Sequence, residues 1–164
     1  MNEKTPSDRS STGIIGLDYI LKGGFPKNRL HLIEGSPGTG KTTLGLQFLM
    51  EGSRKGEKGL YITLSESREE LLSVAESHGW TLDGIDIQDL TESSDALTDN
   101  SRYTVFHPSE IELDETTRSV LDEVERVNPA RVVFDSLSEM RMIASDPLRF
   151  RRQILALKQY FLGR

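Results

Sequence analysis

A mostly parallel α/β sheet flanked by helices is the fold class this sequence predicts, and three observations predict it. Short apolar runs at 29–34, 60–64 and 131–135 alternate with stretches of helical spacing, the pattern of strands joined by crossover helices. Between the first run and a helix stands Gly35-Ser-Pro-Gly-Thr-Gly-Lys-Thr42, which fits G-x-x-x-x-G-K-[ST] at every fixed position. Val132-Val-Phe-Asp135 ends a strand on an acid, where a parallel sheet presents its carboxyl edge to a ligand.

Each element follows from local chemistry. Met1 to Ser11 is polar and charged with nothing to bury, which predicts a disordered tail, and residues 12–164 form one domain. Thr12 to Leu21 predicts a short helix or turn packed beside that domain, and Gly23-Gly-Phe-Pro-Lys-Asn28 a turn with Asn28 left-handed. Arg29–Glu34 reads as a short buried strand, and the helix after the glycine loop runs to about Arg54, with a return at Lys55–Gly59. Leu60–Leu64 is a second core strand. Ser67-Arg-Glu-Glu70 is a capping box opening a helix to about Ser77, with Leu71, Leu72 and Ala75 buried and Gly79 as its stop. Residues 83–102 are polar and acidic with little periodicity and predict an irregular loop or partial disorder, followed by a short strand at Tyr103–His107. Glu115–Val127 is an amphipathic helix that Pro129 prevents from continuing. Asp146-Pro147 caps and starts a last helix carrying Phe150, Ile154, Leu157 and Phe161.

Composition narrows the function. Twenty Lys and Arg against 26 Asp and Glu give a formal charge of −6, which disfavours the broad basic field of a non-specific nucleic-acid binder. There is no cysteine, so thiolate metal sites and disulfides are absent. No apolar run approaches a membrane span and no secretory signal opens the chain, so the expected location is cytoplasmic, with no membrane partner. Arg141, Arg149, Arg151 and Arg152 are the one basic concentration, read as a solvated helix face.

The glycine loop names its own ligand. Gly35, Ser36, Pro37, Gly38, Thr39 and Gly40 supply open backbone whose N–H groups wrap a triphosphate, with a helix dipole aimed at the same charge. Lys41 reaches the β- and γ-phosphates, and the Thr42 hydroxyl takes a position on Mg²⁺. Asp135 would hold the same ion through water; the alternative is a strand-end acid that caps a loop. Glu66, just past the second core strand, is the candidate to orient the attacking water, against the alternative of a solvated residue preceding the Ser67 cap. Glu34 is a weaker acid candidate.

The chain as a whole resembles the KaiC-like branch of the RecA-type P-loop ATPases. The resemblance rests on Ser11-Thr-Gly-Ile-Ile-Gly-Leu-Asp18, Gly23-Gly-Phe-Pro26, the phosphate loop with Gln47-Phe48, Tyr61-Ile-Thr-Leu-Ser-Glu66, Ser77-His-Gly-Trp80 and Val132-Val-Phe-Asp-Ser-Leu137, and it covers residues 10 to 164. It implies an ATP-binding RecA-like core that assembles as a homo-oligomer, ring or filament, with ATP held between subunits. It also implies that Gly38 to Thr43 line the phosphates and that Ser77 approaches the nucleotide base. The family pattern often has two adjacent acids after the second strand. Here the pair is Ser65-Glu66, which leaves Glu66 as the sole candidate to activate water. Proteins that look like this continue past the last helix with further strands, one of them between the phosphate-loop strand and the Asp135 strand. The expectation is therefore a C-terminally incomplete domain.

Three function classes follow: a module that binds and hydrolyses Mg-ATP at a subunit interface; a non-hydrolysing regulatory nucleotide-binding module or inactive fragment; and a DNA-dependent recombinase-like ATPase, which the acidic charge disfavours.

Overall fold

In the computed structural model, residues 8–91, 108–144 and 146–162 are described, residues 108–112 by their backbone. The centre is a parallel three-stranded sheet ordered β4-β3-β5, made of β3 (Gly59–Thr63), β4 (Ile85–Asp89) and β5 (Arg131–Asp135). Register pairs Tyr61 with Ile87 on one side and Val133 on the other, and Thr63 with Asp89 and Asp135. Every residue of β3 is buried because it has a strand on each side. β5 borders one strand among the described residues and is half-buried beyond Arg131.

Helices cover both faces. The phosphate-loop helix α2 (Lys41–Arg54) and α3 (Arg68–Ser77) pack one face, where Leu46, Leu49, Tyr61, Leu71, Ile85 and Ile87 form a core. On the other face α4 (Pro108–Val127), α5 (Leu137–Ala144) and α6 (Pro147–Phe161) enclose Leu60, Ile62, Val120, Val124, Met140 and Leu157. Several local signals act as their chemistry dictates. The Ser67 hydroxyl accepts from the Glu70 amide while the Glu70 carboxylate accepts from the Ser67 amide, closing the capping box. Asp146 accepts from the Leu148 amide at the start of α6, with Pro147 in its first turn. Asn28 holds φ +57.

Other expectations are corrected. Residues 29–34 enter no ladder among the described residues and are exposed throughout, with Leu30, Leu32 and Ile33 in contact with solvent. Strand-like composition does not make a strand unless a neighbour takes its backbone groups, and no described strand pairs with this run. The segment at 83–102 was expected to be irregular, yet Ile85–Asp89 is β4; its signal is the two-residue alternation of Ile85 and Ile87, masked by the surrounding acids. The remainder from 92, and the expected strand at Tyr103–His107, lie outside the described residues. Leu72 was expected in the buried face of α3 and is exposed; Leu71 and Ala75 carry that face. The expected strand at 60–64 and helix at 115–127 are shifted, to 59–63 and 108–127.

Residues 9–10, expected within a disordered tail, form β1 (Arg9–Ser10), antiparallel to β2 (Phe25–Pro26). Arg9 donates to the Leu21 and Gly24 carbonyls, and a Cβ at Gly24 would sit 2.0 Å from the Ser10 carbonyl oxygen, so only glycine permits this pairing. Between them Thr12, fully buried, donates from its amide and hydroxyl to Asp18, which ties the short helix α1 (Ile15–Ile20). That helix does not bury its apolar residues as expected: Ile15, Tyr19 and Ile20 are exposed.

Arg131 anchors this clasp to the sheet. It is buried, pairs with Glu57 at 2.6 Å, donates to the Ser11 and Phe48 carbonyls, and lies over the Phe48 ring. A buried guanidinium is tolerated where its donors are satisfied in this way.

Candidate functional site

The phosphate loop leaves the exposed 29–34 segment and enters α2 through Gly40, at φ +86, with Gly38 at φ +78. Those left-handed values favour glycine, which explains the motif's fixed Gly40 and the glycine at position 38, where the motif itself leaves the residue open. The residues from Gly35 to Gly40 are exposed. Thr39 turns its hydroxyl onto the Ser36 carbonyl, and the Lys41 ammonium spans back to the carbonyls of Gly35 and Ser36 at 2.9 and 3.0 Å. The cation is thus held against the loop by two of its own carbonyls. Ser36, Pro37, Thr39 and Thr43 lie in or directly after that loop, at its opening into the helix.

The carboxyl ends of two strands meet this loop. Thr42, in the first turn of α2, donates to Asp135 Oδ2 at 3.1 Å across 93 positions of sequence. The same oxygen accepts from the Tyr61 hydroxyl at 2.6 Å. The parallel register explains the meeting: Tyr61, Thr63, Val133 and Asp135 alternate onto the sheet face that carries α2. Burial and the neighbouring Asp135 carboxylate push the Tyr61 phenol well above its usual range, so it stays a donor. The peptide bond from Asp135 to Ser136 is cis.

Glu66 stands just beyond β3. The buried Thr63 hydroxyl donates to the Glu66 carbonyl at 2.6 Å and accepts from the Glu66 amide at 3.1 Å, which fixes the turn. The Glu66 side chain has a buried oxygen, Oε2, without a hydrogen-bond partner. Burial, then the charges of Asp135 and Glu70, raise its pKa above the ordinary carboxylate value. A cleft of about 330 Å³ opens beside it, lined by Glu66, Glu70, Ser73 and Val74. An acid that is part-buried, elevated and unpartnered is suited to hold and pass a proton.

Thr42 and Asp135 are joined directly, Lys41 precedes Thr42 at the start of α2, and Glu66, past the carboxyl end of β3, feels the Asp135 charge. Ser77 does not join them by hydrogen bond: it lies at the far end of α3, where its hydroxyl donates to the Val74 carbonyl. Glu34 sits in the exposed approach, and Arg141, Arg151 and Arg152 are exposed on helices. Sequence reasoning missed Tyr61 as a site residue, because a tyrosine in a core strand carries no motif. It missed Thr63 for the same reason.

The oxygen set fits a hard divalent cation: one hydroxyl and one carboxylate lie together, and neither nitrogen nor sulfur competes. Among the described residues there is no cluster of three or more acids and histidines, so phosphate and water would supply the other ligands of Mg²⁺. No helix among the described residues is long and apolar enough to cross a membrane.

A family model described as "ATPase: KaiC" matches residues 10–164. A UPF0273 protein of Aeropyrum pernix is 34% identical, aligned over 95% of this chain and 64% of its own length. A UPF0273 protein of Thermotoga maritima is 32% identical over 94% of this chain and 65% of its own. The circadian clock oscillator protein KaiC of a Picosynechococcus species is 32% identical, over 98% of this chain and 29% of its own length. The chain thus spans just under two thirds of the length of the UPF0273 relatives.

Proposed function

Since the chain belongs to the KaiC family of RecA-like P-loop ATPases, we propose that it binds ATP with Mg²⁺ and hydrolyses it at an interface between subunits. The observation that carries this reading is the convergence of Thr42 and Asp135, 3.1 Å apart, beside Lys41 and the unpartnered oxygen of Glu66. The loop amides would receive the phosphates, and Lys41 would exchange its two carbonyl contacts for phosphate oxygens. Thr42 and Asp135 would hold Mg²⁺, which when bound neutralises charge on the phosphate oxygens. Glu66 orients the attacking water and accepts its proton through Oε2.

The interface rests on the family resemblance; Ser77, which that resemblance places near the nucleotide base, stands at the far end of α3 from the Ser67 cap. A second reading, a switch that binds nucleotide and turns over little, is favoured by Ser65 standing beside Glu66 where the family pattern often has a second acid.

Affinity for a fluorescent ATP analogue tests the binding step. Lys41→Ala is expected to weaken it more than about tenfold, the worth of a charge-assisted contact to phosphate. Unchanged affinity would overturn the site.

A further inference from the structure

Tyr61 belongs to none of the nucleotide motifs, yet it makes the shortest contact to the acid at their centre. Its ring is fully buried among Leu46, Leu49 and Leu71. If packing were the whole requirement, phenylalanine would fill the space without bringing a hydroxyl out of water. The hydroxyl instead donates to Asp135 Oδ2 at 2.6 Å, within the range of a charge-assisted bond to a carboxylate.

That oxygen already accepts from Thr42, so donors on β3 and α2 hold one carboxylate oxygen of β5 from two directions. A side chain held at one oxygen by two rigid elements loses its rotation about the Cβ–Cγ bond. Oδ1 lies outside this pair of bonds. Gly45 makes the arrangement possible. A Cβ at that position would lie 3.0 Å from Val133 Cγ1 and 3.5 Å from Tyr61 Cε2, so the absent side chain lets α2 approach both strands.

From this geometry we propose that Tyr61 is a positioning residue: it orients the Asp135 carboxylate for Mg²⁺ and so sets the metal dependence of nucleotide binding. The proposal rests on the Mg-ATP reading above. The test uses the whole chain and the same fluorescent ATP analogue, titrated with Mg²⁺ and compared with its binding in EDTA. Tyr61→Phe keeps the ring and removes the hydroxyl. Affinity in EDTA should stay within about twofold, while the Mg²⁺ concentration for half-maximal tightening rises about tenfold, as for the loss of one hydrogen bond to a charged group. In an Asp135→Asn background Tyr61→Phe should then add nothing to the Mg²⁺ response, because the carboxylate that it orients is gone.

An equal loss with and without Mg²⁺, or the same loss on top of Asp135→Asn, would reduce Tyr61 to packing and overturn the proposal. An unaltered Mg²⁺ titration would overturn it as well. If the parent chain shows no tightening with Mg²⁺, the Mg-ATP reading itself falls, a result distinguishable from the others because it precedes any substitution.

Discussion

Residues 29–34 and 59–63 are both short apolar runs beside glycine, and they have opposite fates. Leu60, Tyr61 and Ile62 are 0% exposed, whereas Leu30, Leu32 and Ile33 are 46%, 70% and 43% exposed. Composition differs, with Arg29, His31 and Glu34 in the first run, but the neighbours differ more. β3 has a parallel strand on each side and a helix layer on each face, and it carries Tyr61 and Thr63 into the site. The 29–34 run has no strand beside it among the described residues, and it delivers the phosphate loop from an exposed segment. β5 falls between, paired on one side and half-buried. Neighbours, more than propensity, decide how much of a strand-like run is buried.

Substitutions can break or sharpen this contrast. The largest effect is expected from Leu49→Ala, which should cost about 2–5 kcal/mol by urea unfolding, while Leu32→Ala should stay within about 0.5 kcal/mol. A comparable loss at Leu32 would mean that the 29–34 run is packed after all. Gly45→Val sharpens the built side, because it drives atoms into Val133 and Tyr61; overpacking there should cost about 1–3 kcal/mol and weaken Mg²⁺-dependent binding in parallel. Stability loss without a change in Mg²⁺ response would separate the helix contact from the site. Ser67→Ala removes one half of the capping box and should cost about 1 kcal/mol, a local loss that leaves the contrast intact.

The smallest effect is a pH dependence. Glu66 has a folded-state pKa raised above its unfolded value, so its contribution to stability is fully present below the unfolded value and is lost as pH rises through the folded one. Glu66→Gln removes that loss. The variant should be the more stable protein at neutral pH, with the difference shrinking toward zero as pH falls below about 4.3. A difference of the opposite sign would mean that the carboxylate is stabilised in the folded protein.

Local signals made much of this legible in the sequence. The glycine loop opening α2, the Ser67–Glu70 box, the Asp146-Pro147 start and the strand ending at Asp135 each announce themselves within a few residues, and the structure has a local element at each. Long-range partnerships were not legible. The β1–β2 clasp depends on Gly24 meeting Ser10, and Arg131 reaches Ser11 across 120 positions. Ile85 and Ile87 alternate over too short a span to outweigh the acids around them. The roles of Tyr61 and Thr63 exist only once β3 and β5 are in register. For the 29–34 run, apolar content could announce a potential strand but not the neighbour that would bury it.

We propose that the acids at the carboxyl end of the sheet serve ATP hydrolysis, with Glu66 as the base. Phosphate release from Mg-ATP by the whole chain, measured beside Glu66→Gln with nucleotide binding followed in both, tests it most directly. The account predicts release by the parent, binding by both proteins, and a rate lowered at least about a hundredfold in the variant. Equal rates would remove Glu66 as the base, and no release from either protein would contradict hydrolysis itself.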